Sequence, residues 1–598
     1  MLLLLPDNRL PEASIIEAEW DGCSEQGVKQ VKKCCIYYPK STEEINHGKE
    51  SKMKKILMAL LLVMGCLCGS LSLVLAEEGS DVPALSAPAV SEVAPVPAAK
   101  PEPVADPTGA LTGGIADVIG ATAGAPTADE LAAMEKSEPL AAKLGDVIGH
   151  NRIAINMVWL LVCGFLVMFM QAGFAMAEGG FTRAKNASHT MAMNFMIYGI
   201  GILGYWMCGF AIQMGGCGGV PTLGGAGVLN GEFVVNLFGK DFGLFGTKGF
   251  FLSGTYDVAV YAIFLFQMVF MDTTATIPTG SMAERWTFKS FVVYGFFITA
   301  LVYPLYANWV WGAGWLSQLG ANFALGHGHV DFAGSSVVHM TGGVAALAGA
   351  IVLGPRLGKF KADGTPNAIP GHHIPMAIVG CFILAFGWFG FNAGSTLAGG
   401  DFRMAVVAVN TMIASAAGAF AAMTYMWIVY GKPDISMAAN GLLAGLVAIT
   451  APCAFVPSWA AVLIGAIAGI LLCLSVFFVE RVLKVDDPVG AISVHGVNGA
   501  WGVLSLGLFA DGTYGDGLNG VKGTVTGLFY GDSGQFLAQV IGTLTNIIFV
   551  FLVMYVFFKV LDKIVPLRVS PEMELEGLDQ SEVGVTAYPE FNLNKTHR

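Results

Sequence analysis

The sequence predicts an all-α polytopic membrane protein, for three reasons. Of its 598 residues, 54% are hydrophobic and only 13% are charged, whereas soluble proteins carry about 25% charged residues. Glycine is abundant, at 77 residues, as in helices that pack closely in lipid. Apolar stretches of about 20 residues, the length that crosses the hydrocarbon core, recur after residue 150. The net charge of −12 argues against a nucleic-acid partner.

Eleven such stretches are predicted to be transmembrane helices. They cover residues 153–177, 191–214, 257–278, 289–310, 334–354, 374–397, 404–429, 436–454, 459–479, 490–509 and 534–560. Alternate loops between them hold most of the basic residues, namely Arg183, Lys185, Arg285, Lys289, Arg356, Lys359, Lys361, Lys432, Arg481 and Lys484. The positive-inside rule makes these loops cytoplasmic, so the mature N-terminus is expected outside and the C-terminus inside.

Two histidines occupy corresponding places in this series of spans. His339 lies in the fifth span and His495 in the tenth. Five spans followed by five of opposite orientation, plus a final helix, is typical of an inverted repeat whose site forms at mid-membrane. We therefore expect a 5+5 inverted repeat.

The front of the chain has the pattern of a targeting segment. Lys54 and Lys55 precede an apolar stretch, and "VLA" before Glu77 is a small-residue cleavage pattern. A lipoprotein-type cleavage before Cys66 is a less favoured alternative. The Ala/Pro-rich residues that follow cannot bury enough surface to offset their ordering entropy, although "TADELAAMEK" favours a helical turn.

The sequence thus predicts five segments. They are an upstream extension from a misassigned start codon (1–52), a signal peptide (53–76), a disordered linker (77–148), a membrane domain (149–566) and a cytoplasmic tail (567–598).

Histidines inside apolar helices are rare and usually face an internal pathway. One alone would more simply be a core residue hydrogen-bonded between helices, but two at matching places favour function. Burial disfavours a charged ring, so both imidazoles are expected to be neutral, each with one donor and one acceptor nitrogen. As a pair they could bind a small polar molecule or relay a proton. The other pair, His327 and His329 in "GHGHV", lacks further ligands at recognisable spacing, so no metal site is predicted.

Aromatic and hydroxyl side chains suggest what such a pathway would recognise. "NWVWGAG" contains Trp311, "GWFGFNAGS" contains Phe391 and Ser395, and "FLFQMVF" contains Phe266 and Phe270. Single aromatic residues in lipid are usually packing residues. A Trp face beside a serine hydroxyl at an outer helix end could hold a small cation, however, by cation–π attraction and a hydrogen bond. Phenyl rings below it would block hydrated ions.

With these residues in view, the chain from about residue 150 to 590 resembles the ammonium transporter family (Amt/MEP/Rh), most closely its bacterial Amt type. The resemblance rests on several motifs in the family's order: "MQAGFAMAEGGFTRAKN", "GSMAERW", "WGAG", "DFAGSSVVHMTGG", "GWFGFNAGS", "VDDPVGAISVHGVNG" and the tail "EGLD".

The resemblance implies a homotrimer of the inner (plasma) membrane, with one pore in each subunit, no enzymatic activity and no cofactor. Phe270, Trp311 and Ser395 match the family's outer ammonium-recruitment site. Phe270 and Phe391 match its phenyl gate, with Phe266 one turn away. His339 and His495 match its twin pore histidines, and Asp331 matches an acidic residue that shapes the recruitment site. The tail "GLDQSEVGVTAYPE" resembles the segment involved in control by a PII signalling protein, which is an expected partner.

The implied transport is chemically consistent with these residues. Ammonium resembles potassium in size and charge, but only ammonium can give up a proton. A dry, phenyl-gated pore opposes both intact ions, while neutral ammonia could cross it. The twin imidazoles could bind the ammonia and pass the proton by a separate route, which would make transport electrogenic.

One residue departs from the family pattern, and two other functions stay open. Asp272 stands where the family usually has a small uncharged residue. It is either a carboxyl hydrogen-bonded to Thr273, Thr274 or a neighbouring helix, or an extra proton or cation site. A haem-binding membrane oxidoreductase could ligate iron with the paired histidines. An ammonium sensor could use the same fold to signal through a bound partner.

Overall fold

The computed structural model describes residues 128–592 except 219, 225–226, 519–520 and 522, together with residues 106, 108–109 and 112–115 of the preceding stretch. The predicted upstream extension (1–52) and signal peptide (53–76) lie outside the described residues, as does most of the predicted linker.

Helices make up most of the described chain. In chain order they are α1 (Ala128–Ser137), α2 (Pro139–Phe181), α3 (Ala184–Met214), α4 (Val258–Ser281), α5 (Phe288–Trp311), α6 (Leu319–Phe323), α7 (Ser335–Leu353), α8 (Ile374–Thr396), α9 (Met404–Tyr430), α10 (Ile435–Ile449), α11 (Ser458–Arg481), α12 (Ile492–Phe509), α13 (Ser533–Ile564), α14 (Pro571–Glu576) and α15 (Pro589–Asn592). Ten of them, all but α1, α6, α10, α14 and α15, are long and apolar enough to cross a membrane. The predicted fold class, an all-α polytopic membrane protein, is confirmed.

The predicted span 436–454 corresponds to the shorter helix α10. Its 15 residues extend about 22 Å, less than the roughly 30 Å hydrocarbon core. The buried chain beyond it is irregular, and its backbone bonds to the residues that precede α7. Ala333 N donates to Thr450 O (3.2 Å), and Ala451 N donates to Ser335 Oγ (2.7 Å). Irregular backbone is tolerated at membrane depth where protein groups satisfy it in this way.

The last part of the predicted linker is helical. A helical turn was expected at "TADELAAMEK", where α1 lies, but the first turns of α2 had been assigned to the disordered linker and are helical as well. Part of the preceding chain packs closely on α2: a Cβ on Gly149 would lie 1.8 Å from Gly114 O. The Ala/Pro-rich composition did not reveal this contact, which gives the first turns of α2 a partner.

A β-hairpin, which the all-α prediction lacked, lies between α3 and α4. Strand β1 (Glu232–Leu237) pairs antiparallel with β2 (Lys240–Gly246). Phe233 and Phe245 stack across the strands with ring centroids 4.9 Å apart, a favourable cross-strand pair. Trp309 Nε1 of α5 donates to Leu244 O at 2.9 Å. The hairpin is thereby fixed to the end of α5.

The C-terminal tail is bound to the start of α3 and to the start of α5, the end of α5 opposite to the hairpin. Lys185 Nζ donates to the carbonyl oxygens of Glu574 (2.6 Å) and Leu575 (2.7 Å). Asp579 Oδ1 accepts from His189 N at 2.9 Å, and Leu578 N donates to Asn186 Oδ1 at 2.9 Å. We call this end of the domain the tail side and the end with the hairpin the hairpin side.

Four of the loops predicted to be cytoplasmic meet on the tail side through buried charges. Arg356 pairs with Glu284 at 2.9 Å and with Asp486 at 2.8 Å, and Arg183 also contacts Glu284. Burial alone would raise the pKa of Asp486, but the guanidiniums of Arg285 and Arg356 hold that pKa well below its usual range. Removing one partner of such a buried pair leaves a costly lone charge, so the pairs hold these loops together.

Candidate functional site

Two short turns of the same design carry His339 and His495. Each histidine lies in a π-helical turn, Ser335–Met340 at the start of α7 and Ile492–Val497 at the start of α12. π-turns inside helices are rare and frequently mark functional sites. An aspartate stands eight positions before each histidine, from 331 to 339 and from 487 to 495.

These aspartates cap their turns in the same way. Asp331 accepts four backbone N–H groups, from Gly334 to Val337, and the hydroxyl of Ser336, at 2.7–2.9 Å. Asp487 accepts the N–H groups of Gly490, Ala491 and Ile492 at 2.8–3.2 Å. The first N–H groups of a helix have no partner within it, and a carboxylate both accepts them and complements the helix dipole.

Glycines let the two turns approach each other. A Cβ on Gly343 of α7 would lie 2.1 Å from Gly496 N of α12. A Cβ on Gly499 would lie 2.5 Å from Ser335 O. Residues with side chains at these positions would push α7 and α12 apart, so the glycines are needed to bring the two histidines together.

The two imidazole rings are in direct contact. His339 Nδ1 and His495 Nδ1 are 3.2 Å apart, with ring centroids 5.3 Å apart and an interplanar angle of 26°. Two neutral rings can share this hydrogen bond only if one Nδ1 is the donor and the other the acceptor. The ring whose Nδ1 donates then has an Nε2 that accepts, and the ring whose Nδ1 accepts has an Nε2 that donates. His339 Nε2 is buried and has no hydrogen-bond partner among the described residues.

A stack of aromatic rings continues from the histidines toward the hairpin side. The rings of His339 and Phe391 have centroids 5.3 Å apart, and those of Phe391 and Phe270 are stacked at 4.1 Å. Phe266 follows with its ring 4.6 Å from that of Phe270. The predicted gate residues and His339 therefore form one continuous buried column.

Trp388 holds His339 from a second direction. Its ring lies 5.0 Å from the imidazole at an interplanar angle of 20°, and its Nε1 donates to Thr450 Oγ1 at 2.9 Å. The stacking fixes the plane of the imidazole, and the hydrogen bond ties Trp388 to the end of α10.

A large vestibule lies above the ring column on the hairpin side. Its volume is about 830 Å³, and the residues lining it include Phe266, Phe270, Trp311 and Ser395. The Phe270 and Trp311 rings meet edge-on at 6.1 Å and 74°. Because Ser395 Oγ donates its hydrogen to Phe391 O at 2.7 Å, its lone pairs are left to accept a hydrogen bond from a cation.

A hydrogen-bonded chain connects this vestibule to the capped turn of α7. Trp311 Nε1 donates to Asp331 O at 2.7 Å, and Ser336 Oγ donates to Asp331 Oδ2 at 2.7 Å. Ser336 Oγ is in turn 3.0 Å from Nε2 of His329, which donates to it. Burial lowers the pKa of His329 to about 4, so its ring is neutral at physiological pH. This network places Asp331 beside the vestibule without exposing it to the cavity.

Three further sequence predictions concern Asp272, His327 and an iron between the twin histidines. Asp272 is buried in α4 but is not among the residues lining the described cavities, and its Oδ1 has no hydrogen-bond partner among the described residues. His327 also lines the vestibule, with Nε2 2.9 Å from Thr524 O. An iron between His339 and His495 is not accommodated, since metal–imidazole bonds of about 2.0 Å need more than the observed 3.2 Å.

Comparison with known proteins decides the family. Residues 158–588 match the Ammonium Transporter Family. The chain belongs to this family. It is 46% identical over 452 residues to the ammonium transporter Amt2 of Archaeoglobus fulgidus, covering 75% of this chain and 91% of that protein. It is 36% identical over 453 residues to ammonium transporter 1 member 3 of Solanum lycopersicum, covering 73% and 93%.

Solved structures of the family have the same fold. A structure named Sensor Amt Protein is 35% identical with a TM-score of 0.61, covering 72% of this chain and 98% of that one. Mep2 of Candida albicans is 26% identical with a TM-score of 0.60, covering 70% and 87%. The family resemblance drawn from the motifs is thus confirmed: this chain is an ammonium transporter, a multi-pass membrane protein and not an enzyme.

Two residues of this ammonium transporter were missed by sequence reasoning. Asp487 is the counterpart of Asp331, and the shared D-x-x-G-x-x-x-V-H spacing would have found it. Glu178 lies in a second cavity that His495 also lines. No sequence signal pointed to Glu178, because its proximity to His495 depends on how α2 packs against α12.

Proposed function

We propose that ammonium binds in the vestibule at Phe270, Trp311 and Ser395 and gives up its proton there. Ammonia then passes the phenyl gate of Phe266, Phe270 and Phe391 and crosses a pore lined by His339 and His495. The observation that carries this proposal is the 3.2 Å contact between the two Nδ1 atoms directly beneath the stacked phenyl rings.

The proton is proposed to travel separately along the histidine pair. Since one Nε2 of a neutral pair accepts and the other donates, a proton taken up at one ring can leave from the other. The transfer ends with the shared hydrogen bond reversed. The pair then needs to reorient before the next proton, which couples one proton to each cycle.

The membrane arrangement is proposed from the same features. The tail side is cytoplasmic, because basic loops collect there, and the vestibule opens outward. α10 with its irregular extension completes eleven crossings. α7 and α12 are equivalent members of a 5+5 inverted repeat, a relation supported by their matching caps and π-turns. The signal peptide (53–76) and the inner membrane as location remain part of this proposal.

We also propose the partners of this transporter. A homotrimer follows from the family resemblance. A PII signalling protein is the expected cytoplasmic partner, and the bound tail offers a surface for it, held by Glu574, Leu578 and Asp579. A sensor that signals through a partner is a second candidate function, because one similar structure is named Sensor Amt Protein.

Complementation of cells that lack ammonium transporters tests the proposal. Wild type should restore growth on low ammonium, whereas His339→Ala and His495→Ala should not. His150→Ala, at a histidine that lines none of the described cavities, is the matched control and should restore growth. Wild-type protein that reaches the membrane, fails to restore growth and still binds ammonium would favour the sensor.

Both roles predicted for Asp272, a structural carboxyl group or an extra proton or cation site, remain proposals. Its position off the described cavities supports a structural role, although Thr273 and Thr274 do not bond to it, since their hydroxyls donate to Val269 O and Phe270 O. An extra proton or cation site at Asp272 would require access that the described cavities do not give it.

A further inference from the structure

A second cavity lies on the tail side of the twin histidines. Its volume is about 30 Å³, enough for one small molecule of the size of water or ammonia. The wall is mostly apolar, with Phe174, Phe181 and Leu384 among its members, but His495 and Glu178 also line it. We call it the inner cavity.

The carboxyl group of Glu178 is held firmly at this wall. Asn194 Nδ2 and Thr279 Oγ1 both donate to Oε2 at 2.7 Å, and the side chain is almost fully buried. Beside Oε1 lies the backbone of Gly280, where a Cβ would come within 3.0 Å. The backbone N–H of Gly280 also hydrogen-bonds to this carboxyl group. Among the described residues no side chain donates to Oε1, and because a carboxylate oxygen can accept two hydrogen bonds, Oε1 can accept a further one from a ligand.

The two ends of the pore therefore offer a cation different surroundings. The vestibule is wide and presents aromatic faces and a hydroxyl, and a cation there can keep part of its water. The inner cavity has room for little or no water, and an unpaired charge in such a place is very costly. A carboxylate supplies the opposite charge that makes ammonium tolerable there.

We propose that Glu178 and the inner cavity form a second ammonium site, at which ammonia regains its proton. This inference rests on the proposed function, because it needs ammonia and a proton to arrive separately. The proton reaches the carboxylate from the histidine pair and forms the acid. Ammonia then takes it: the O–H bond breaks, the nitrogen lone pair forms an N–H bond, and ammonium is left paired with the Glu178 carboxylate. Ammonium leaves on the tail side.

Three other ionisable groups are near Glu178. Tyr294 interacts with it electrostatically, but the Tyr294 hydroxyl donates to Ala275 O at 2.8 Å. His495 is the donor to Glu178 in the proposal. Asp487, whose pKa burial raises to about 6, interacts electrostatically with Glu178 but is occupied by the N–H groups of its own turn. Glu178 is thus the carboxyl group with an oxygen available to ammonia.

The test separates movement of charge from movement of ammonia. Purified wild type and Glu178→Gln are placed in liposomes. Currents after an ammonium jump are recorded on a solid-supported membrane, and ammonia permeation is followed with an internal pH dye. Glu178→Gln keeps an oxygen for Asn194 and Thr279, so it should fold. Its current should fall by about 100-fold, within the range that a positioned acid contributes, while ammonia permeation persists.

Controls make each outcome decisive. Asp146→Asn removes a carboxylate from the same helix at its hairpin end, and its current should match wild type. Glu178→Asp, which keeps the acid, should recover part of the current. Equal currents in wild type and Glu178→Gln would overturn the second site while leaving the proposed function intact. A parallel loss of current, permeation and melting temperature would make Glu178 structural only. Absence of ammonium flux in wild type would instead refute the proposed function.

Discussion

The turns that carry His339 and His495 have the same design but different surroundings. Asp331 accepts five hydrogen bonds, one of them from Ser336, which links it to His329 and the vestibule. Asp487 accepts three, all from backbone N–H groups. The comparison teaches that a carboxylate cap at the start of a helix is common to both histidines, whereas, among the described residues, a side-chain hydroxyl connects only the hairpin-side cap to a further histidine.

The largest expected effect comes from the contact between the two turns. Gly343→Ala would place a Cβ 2.1 Å from Gly496 N, whereas Gly496→Ala would place one 3.3 Å from Gly343 C. Because backbone atoms cannot move aside easily, we expect Gly343→Ala to abolish uptake and to destabilise by about 3 kcal/mol or more. Gly496→Ala should cost about 1 kcal/mol and keep most uptake. Thermal melting in detergent and initial uptake rates measure both, and equal effects would contradict the described packing.

Substitution of the two capping aspartates should also have unequal effects, with a smaller difference between them than between the two glycine variants. An amide can replace only part of a carboxylate that accepts N–H groups on both oxygens, and each buried donor left unpaired costs about 1–3 kcal/mol. Asp331→Asn should therefore lose about 4 kcal/mol and most of its uptake, and Asp487→Asn about 2 kcal/mol with partial uptake. A larger loss for Asp487→Asn would show that the tail-side cap, and not the vestibule network, limits the pore.

A dependence on pH should distinguish the hairpin-side turn. The folded pKa of His329 is about 4, below the unfolded value of about 6.5, because burial disfavours its charged form. The unfolded chain binds the extra proton, so stability is complete above about pH 6.5 and is lost as pH falls toward 4, by on the order of 3 kcal/mol. The position equivalent to His329 in the other turn is Val485.

Melting curves of wild type and His329→Gln between pH 7 and 4.5 measure this effect. Gln can still donate to Ser336, so the variant should melt at a temperature that depends less on pH. Parallel curves for the two proteins would mean that His329 is not the group responsible.

The smallest effect is expected at a third buried carboxyl. Asp272 lacks the N–H partners that hold Asp331 and Asp487 in place, and it lies away from the described cavities. Asp272→Asn should leave uptake and its pH dependence unchanged and should raise the melting temperature slightly, because it removes an ionisable group from a buried place. A shift in the pH profile of uptake would instead support the extra proton or cation site.

The sequence predicted the column of rings better than it predicted the residues and elements that surround the column. His339, His495 and Phe391 lie in distinctive motifs, and the structure brings them together as a column. Asp487 was missed because a carboxyl group in a loop sequence does not show which backbone N–H groups it will accept. The hairpin was missed because a membrane fold was expected to be all-helical, and Glu178 because neighbours in different helices cannot be read from spacing. The first turns of α2 were assigned to a disordered linker because composition does not show which other part of the chain will cover a helix.

The most direct test records currents from the purified protein in liposomes after jumps of ammonium or potassium at equal concentration. Two neutral imidazoles behind stacked phenyl rings should pass ammonia and a proton but no alkali metal ion. We therefore expect a current with ammonium, none with potassium, and loss of the ammonium current in a variant carrying both His339→Ala and His495→Ala. A potassium current of similar size, or an ammonium current that survives without both histidines, would contradict the account.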